Sequence, residues 1–346
     1  MRCVQLFLLF VPVLAAQTPV FQSETRIVQI PVIARDSRNS PVLNLKKRDL
    51  RLFDNGIEQS VLTLDSFGGP PAPAAAGASD DRVTGMLGPR LSIILLDQLN
   101  TPLEDQLRGN EGISGMLRKL SAAQERIAIY SLRDDLHLLC NFTDDLDILR
   151  GVLENFKAEY LPIGATTPPR GAALVADPFQ FAERRLEITL NALRAMARRL
   201  HSLPGEKSLI WMTAAFMVPK DPQPFYVAVQ QLRDAKVRLY PIDARGLIAC
   251  TPQRTGPACP PWVNEPIAIM QEMAVQTGGR AYHDSNGLAA LARTALDDSR
   301  QGYLLTYAPQ NYSRDGSTHR VELQTSRKNV NLRYRSGYVA ELPAGR

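Results

Sequence analysis

The chain has 346 residues, of which 45% are hydrophobic, 22% are charged and 7% are aromatic. These proportions are ordinary for a folded globular protein, and they exclude wholesale disorder, a collagen-like repeat and a coiled coil. The formal net charge of +5 is spread over 40 basic and 35 acidic side chains. Nucleic-acid binding needs basic residues clustered on one face, so we expect no nucleic-acid partner.

The N-terminus carries an apolar run at 4–14, which follows the basic residue Arg2 and precedes small residues. This pattern is typical of a secretory signal peptide, here residues 1–16, and it predicts an exported protein that is periplasmic or secreted. A buried N-terminal strand or helix is the alternative interpretation. A membrane-spanning helix needs roughly 20 apolar residues, and no later segment reaches that length, so we expect no integral membrane segment after cleavage.

Export would place the remaining cysteines in an oxidising compartment. Cys250 and Cys259 flank a stretch rich in proline, glycine and threonine that we expect to be a loop. A disulfide between them is predicted, and two free thiols are the alternative. Cys140 is predicted to be a buried strand residue.

Residues 24–67 have the pattern of a small β segment. Apolar residues alternate from Val28 onwards, and Asp54-Asn55-Gly56 is a strong hairpin signal, with Val61 and Leu62 expected on the return strand. Residues 68–90 are rich in alanine, glycine and proline and are predicted to be a flexible linker.

Residues 91–300 change character, because apolar strands now alternate with helical stripes. The continuous apolar run at 91–96 is typical of a strand that is covered on both faces. The alternation predicts an α/β fold: a doubly wound, mostly parallel sheet with helices on both faces. We expect the further strands at 126–132, 136–142, 208–212 and 237–242.

Residues 301–341 return to strand patterns. One strand is predicted at Tyr303 to Tyr307, and alternation around Val321 and Val330 predicts a hairpin. Neither terminal β segment has enough strands to be stable alone. We therefore expect 301–341 to pack with 24–67 as a small β domain.

The chain lacks the usual signatures of an enzyme. It has no phosphate loop, dinucleotide fingerprint or Gly-x-Ser-x-Gly elbow, and its four histidines show no zinc-ligand spacing. We therefore expect no catalytic residue and a non-enzymatic protein. A metal-assisted hydrolase that uses Asp97 and Asp243 is the alternative.

The end of the first α/β strand carries the chemistry that points to a ligand. Asp97 and Thr101 follow this strand, and Thr166 lies before the long helix. At these residues the chain resembles the von Willebrand factor type A domain, whose metal-ion-dependent adhesion site binds Mg²⁺. The resemblance implies metal ligation by these three side chains. Two expected ligand positions hold residues that cannot ligate, Leu99 and Ala214, so the site is degenerate, and we expect no cofactor or at most weak Mg²⁺ binding.

A narrower resemblance covers nearly all of the chain after the signal peptide. The segments 49–59, 95–101, 240–246 and 333–338 resemble the acidobacterial von Willebrand factor A-related family of exported proteins. The resemblance implies the fold and export but no ligand. We therefore expect an exported, adhesion-like module that binds a protein partner through loops 97–103, 163–172 and 213–222; a purely structural envelope component is a further alternative.

Asp97 and Asp243 both end strands and should lie at the same sheet edge. We predict that Arg245, or donors from Thr101 and the turn at 98–102, satisfy Asp97 in place of a metal. Two alternatives are that Asp97 caps the helix beginning near Leu103, or that Asp243 and Arg245 point to solvent.

Overall fold

The computed structural model describes residues 27–67, 90–120, 125–159, 178–214, 221–248, 261–298, 300–310 and 315–340. Several of the predictions lie outside these residues: the signal peptide, the linker except its last residue, Thr166 with the loop around it, and the Cys250–Cys259 pair.

The described part of the chain alternates strands and helices in its middle and is β at both ends. The strands are β1 (Val28–Asp36), β2 (Leu50–Asp54), β3 (Ile57–Gln59), β4 (Val61–Phe67), β5 (Leu91–Asp97), β6 (Arg126–Leu132), β7 (Leu136–Thr143), β8 (Lys207–Thr213), β9 (Val237–Asp243), β10 (Gly302–Tyr307), β11 (Thr318–Thr325), β12 (Val330–Arg333) and β13 (Gly337–Val339). The helices are α1 (Leu103–Arg118), α2 (Leu146–Glu154), α3 (Pro178–His201), α4 (Gln223–Asp234), α5 (Pro261–Thr277) and α6 (Leu288–Asp298).

The central sheet has the strand order β7-β6-β5-β8-β9. All neighbouring strands are parallel except β7, which runs antiparallel to β6 at one edge. Every residue of β5, β8 and β9 is buried, because helices cover both faces of the sheet. The predicted doubly wound, mostly parallel α/β fold is confirmed.

Two apolar layers hold the helices on the sheet. One core joins α3, α4 and α5 to one face around Trp211, and the other joins α1, α2 and α6 to the opposite face around Tyr240. Among the described helices, none is long and apolar enough to cross a bilayer.

The two terminal segments together form a β sandwich, as predicted for the small β domain. One sheet has the order β12-β1-β10-β4 and the other β13-β11-β2-β3, so each sheet contains strands from both ends of the chain. The hairpin at Asp54-Asn55-Gly56 is present, with Asn55 and Gly56 at φ of 50° and 80°.

Two details of the predicted strand pairing are wrong. β11 and β12 do not form a hairpin, because they lie in different sheets. The return strand after Gly56 is β3, whereas Val61 belongs to β4 in the other sheet. In both places the chain crosses between sheets, and the apolar faces of the two sheets meet in one core.

The sandwich packs against the amino edge of the central sheet, where the parallel strands begin. Arg35 of β1 pairs with Asp298 at the end of α6, and Arg335 pairs with Glu206 just before β8. The opposite, carboxyl edge of the sheet carries the candidate site.

Candidate functional site

Asp97 ends β5 at the carboxyl edge and is only 2% exposed. Its Oδ1 accepts the backbone N–H of Asn100 at 2.9 Å. Its Oδ2 accepts the Asn100 amide at 2.9 Å, the Trp211 indole N–H at 3.1 Å and the Thr213 hydroxyl at 2.7 Å. Four donors from the chain therefore surround this one carboxylate.

The four donors compete with burial in setting the charge of Asp97. Burial raises the pKa of the Asp97 carboxyl, and the hydrogen bonds from Asn100, Thr213 and Trp211 act in the opposite direction. The amide and indole N–H groups direct their hydrogen atoms at the carboxylate oxygens of Asp97. Such donors stabilise the negative charge of the carboxylate, and they occupy the positions that a metal cation would need. The Asp97 environment does not fit Mg²⁺, which needs several free oxygen ligands in octahedral geometry.

The Thr101 hydroxyl oxygen is used within the chain. Its Oγ1 accepts the backbone N–H of Ala214 at 3.2 Å, which ties the turn after β5 to the end of β8. Buried Gln106 donates to the Thr101 carbonyl at 2.9 Å and to the Glu159 carbonyl at 2.8 Å. The turn that was expected to face a partner is therefore covered by the chain itself.

The capping alternative for Asp97 is wrong. Pro102 is the N-cap of α1, and no side chain hydrogen-bonds to the backbone at this cap. Asp97 instead closes a local turn through the N–H of Asn100, three residues ahead.

Asp243 ends β9 and forms an ion pair with the guanidinium group of Arg245. Arg245 contacts both carboxylate oxygens, with Nε 2.9 Å from Oδ1 and Nη2 2.7 Å from Oδ2. The two side chains are 1% and 12% exposed, so the solvent alternative is wrong. Arg245 pairs with Asp243 and not with Asp97, so the prediction that Arg245 satisfies Asp97 is wrong. The guanidinium group folds back over two residues onto the end of its own strand.

A second ion pair lies close enough to Asp243 and Arg245 to interact with their charges. Asp105 of α1 pairs with Arg108 at 2.9 Å, and burial is the main reason that the pKa of Asp105 is raised. A cavity of about 10 Å³ is lined by Asp97, Thr101 and Asp105, among others. This volume is enough for about one water molecule and not for a hydrated metal or a substrate.

The residues that complete this edge were not predicted as site residues. Asn100, Trp211 and Thr213 carry the hydrogen bonds to Asp97, and the Asn100 amide also donates to Thr189 of α3 at 2.8 Å. Thr213 could have been predicted from the sequence, because it ends the strand that lies beside β5. Asn100 has the spacing of a local Asx turn.

An open groove lies next to this sealed edge, between β7 and α2. Its volume is about 680 Å³, and it is lined by Arg133, Lys157 and three exposed apolar residues. Leu138, Leu139 and Ile148 are 48%, 38% and 52% exposed. Solvent-facing apolar residues gathered in one groove are a feature of interaction sites.

The described residues contain no group of three or more His, Cys, Asp or Glu side chains that could hold a metal ion. Cys140 lies on β7 as a free thiol of intermediate burial, where burial raises its pKa. The expected fully buried position of Cys140 is wrong, because β7 is an edge strand with one exposed side.

No family model matches the chain, and no curated protein matches it. Three solved structures show a weak likeness over 61% of this chain. An aerotolerance-related membrane protein from Bacteroides fragilis NCTC 9343 is 13% identical, with 98% of its chain covered and a TM-score of 0.39. The hypothetical protein BatB from Bacteroides thetaiotaomicron is 14% identical, with 98% covered and a TM-score of 0.36.

Proximal thread matrix protein 1 from the mussel byssus is 10% identical, with 48% of that chain covered and a TM-score of 0.38. A second crystal structure of this mussel protein has a zinc-occupied MIDAS motif.

Proposed function

We propose that this protein is an exported, non-enzymatic module of the von Willebrand factor A-like kind that binds a protein partner. We further propose that it belongs with the acidobacterial von Willebrand factor A-related exported proteins. The groove between β7 and α2 carries the proposal, since it is the place where open volume and exposed apolar side chains coincide.

The partner that suits this groove is an extended segment of another protein. β7 is the outermost strand in the order of the central sheet, and one side of its backbone faces away from β6. Such an edge accepts an added strand through main-chain hydrogen bonds, while adjacent apolar pockets select its side chains. Leu138 and Ile148 supply the apolar contacts here.

The charges in the groove favour an acidic residue in that segment. Arg133 pairs with Glu159, which neutralises one positive charge. The exposed side chain of Lys157 adds a further positive charge to the lining. An extended peptide with alternating apolar residues and one carboxylate is therefore complementary to the groove.

The hydrolase alternative is less well supported by the contacts of its two carboxylates. Asp97 is surrounded by four donors, and both oxygens of Asp243 are bound by Arg245. A general base needs to reach a substrate proton, and both carboxylates are at least 98% buried. We accordingly propose that no metal cofactor acts at this edge.

The groove is tested by selecting a phage-displayed random peptide library against the full chain and measuring affinity by fluorescence anisotropy. We expect apolar peptides with one acidic residue, whose affinity falls at least tenfold in Leu138→Lys and Ile148→Lys. The control Val275→Lys changes an exposed apolar residue on α5, 68% exposed, and should leave binding unchanged. Failure to recover any peptide, or equal binding by all variants, would favour a purely structural envelope component.

Export is tested separately. N-terminal sequencing of the secreted or periplasmic form should find a start near Ala16 or Gln17, and a chain that begins at Met1 would contradict the proposal. The proposed Cys250–Cys259 disulfide should leave those two thiols unavailable to alkylation under non-reducing, denaturing conditions.

A further inference from the structure

The amino edge of the central sheet holds a second buried polar cluster, which the proposed function does not use. Its centre is Asp298 at the end of α6, 2% exposed. Arg35 of β1 donates its Nε to Asp298 Oδ1 at 3.1 Å and its Nη2 to the Asp298 carbonyl at 3.1 Å. Arg333 of β12 donates to the same Oδ1 at 2.5 Å. The cluster thus lies between the sandwich and the α/β unit.

Several polar atoms of this cluster are buried without a hydrogen-bond partner in the described chain. Two are acceptors, Asp298 Oδ2 and Glu206 Oε2, and the others can donate: Arg35 Nη1, Arg333 Nη1, Arg238 Nε, and the hydroxyls of Tyr240 and Tyr282. Arg238 and Tyr240 are 2% and 0% exposed. Buried polar groups are almost always hydrogen-bonded, so orphans gathered in one place indicate a missing partner.

These groups act on one another and therefore share one region. The charges and dipoles that act on the Tyr240 hydroxyl come from Asp298, Arg238, Arg333 and Tyr282. Arg35, Arg333 and Asp298 in turn act on the Tyr282 hydroxyl, and burial raises the pKa of Tyr282 to about 12. Both hydroxyls accordingly stay protonated and can donate at neutral pH.

Positive charge is in excess at this junction. Arg35 and Arg333 both pair with the single carboxylate of Asp298, and Arg238 acts together with that carboxylate on the Tyr240 hydroxyl. A second carboxylate, Glu206, is shared between Arg238 at 3.5 Å and Arg335 at 3.2 Å. Four buried or largely buried guanidinium groups therefore face two carboxylates.

Water alone does not correct this imbalance. A water molecule brings as many donors as acceptors, whereas the unpartnered arginine nitrogens can only donate. An oxyanion brings several acceptor oxygens and negative charge together, and planar guanidinium groups suit it well.

We propose that the junction between the β sandwich and the α/β unit binds one small oxyanion of the phosphate or sulfate class. Arg35 Nη1, Arg333 Nη1 and Arg238 supply the charged donors, and the hydroxyls of Tyr240 and Tyr282 complete them. The Arg333 side chain is 16% exposed and forms the solvent-facing rim of the site. Because its donors come from both units, the bound anion joins the sandwich to the central sheet.

The test is calorimetric titration of the full chain with inorganic phosphate and, in separate arms, sulfate and acetate. Unfolding temperature is followed as chloride is replaced by each anion at constant ionic strength. We expect one saturable phosphate or sulfate site per chain and a raised unfolding temperature. Acetate, with one charge and two oxygens, should bind at least tenfold more weakly.

The double variant Tyr240→Phe/Tyr282→Phe removes two donors that have no partner in the part of the chain that the structure describes, so it should fold. It should bind phosphate at least tenfold more weakly than the wild type. Tyr226→Phe, which removes the hydroxyl of a residue 43% exposed on α4, is the matched control and should bind as the wild type does. Stability that follows ionic strength alone, acetate binding as tight as phosphate binding, or full phosphate affinity in the double variant would each overturn the proposal.

Discussion

The two edges of the central sheet differ in how far their buried charged groups are hydrogen-bonded. At the carboxyl edge, Asp97 accepts four hydrogen bonds and Asp243 holds Arg245 on both oxygens. At the amino edge, some arginine and tyrosine donor atoms around Asp298 are buried without a hydrogen-bond partner among the described residues. Both clusters are polar and buried, but among the described residues only the carboxylates of Asp97 and Asp243 have all their oxygen atoms hydrogen-bonded.

The contrast shows that a motif and a binding site need not coincide. The carboxyl edge carries the residues that resemble a metal site, yet its polar groups bind one another. The amino edge carries no motif, yet several of its donor atoms have no acceptor among the described residues. The proposed anion site therefore rests on unsatisfied buried polar groups and not on a sequence motif.

The largest effect is expected for Asp97→Ala, which leaves four buried donors without their acceptor. We expect the free energy of unfolding to fall by about 4 kcal/mol, since a buried donor left unpaired costs about 1–3 kcal/mol and the losses are not fully additive. Urea denaturation checks this, with the exposed Asp134→Ala as the control. A loss near 1 kcal/mol would mean that the carboxylate is not a structural anchor.

Asp243→Ala should follow, with a loss of about 3 kcal/mol, because Arg245 is then left buried without its counter-charge. The double variant Asp243→Leu/Arg245→Leu should be less destabilised than the single variant, since it removes both charges together. Chemical denaturation of the two variants side by side checks this. A double variant that is the less stable of the two would contradict an ion pair that is mainly structural.

At the amino edge, Lys207 makes stability depend on pH. Burial lowers the pKa of Lys207 to about 8, with Glu206 opposing and Lys236 and Arg335 adding to the shift. An unfolded lysine titrates near 10.4, so between these values the unfolded chain binds a proton that the folded chain does not. Stability contributed by this group should therefore rise as pH increases from about 8 to about 10.4.

Lys207→Met should remove that rise, which we expect to be on the order of 2 kcal/mol. Denaturation curves of the wild type and the variant across this pH range measure it. Parallel stability profiles for the two proteins would show that Lys207 is not desolvated.

Thr101→Val should cost about 1 kcal/mol, because the Ala214 N–H loses its acceptor while the side-chain volume is kept. Exchange of the Ala214 amide hydrogen, followed by NMR, should accelerate in the variant. Unchanged exchange would mean that this hydrogen bond does not hold the end of β8.

The smallest effect is expected for Tyr240→Phe in a buffer that contains only chloride. Its hydroxyl has no partner within the described chain, so its removal should change stability by less than about 0.5 kcal/mol. Thr213→Val at the other edge removes a satisfied hydroxyl of similar burial and should cost more, about 1–2 kcal/mol. Equal losses of stability in the two variants, measured by thermal denaturation, would contradict the difference in hydrogen bonding between the two edges.

The fold could be predicted largely from the sequence, since buried strands such as β5 and β8 are continuous apolar runs between amphipathic helices. The sandwich was predicted less well. Alternating apolar residues reveal a strand but not its partner, and so β11 and β12 were wrongly paired. Which sheet a strand joins depends on the packing of the whole core.

The sequence predicted the acidic residues of the site, but it did not predict most of the contacts that they make. Asp97 and Asp243 lie at the expected edge because strand ends are easily located. The predicted donor from the turn at 98–102 is present as the Asn100 N–H, whereas Trp211 was missed because it reaches Asp97 only through strand register. The cluster around Asp298 had no local signal, because its members are distant in sequence and meet only at the domain junction.

The central claim is that the Asp97 carboxylate is held by donors of the chain and binds no metal. It is tested most directly by the indole N–H resonance of Trp211, which donates to Asp97 at 3.1 Å. The chain has two tryptophans, so Trp262→Phe assigns the signal. On titration with paramagnetic Mn²⁺, we predict that the Trp211 resonance stays sharp and that its hydrogen stays protected from exchange. Selective broadening of this resonance at stoichiometric Mn²⁺ would place a metal ion at Asp97 and contradict the account.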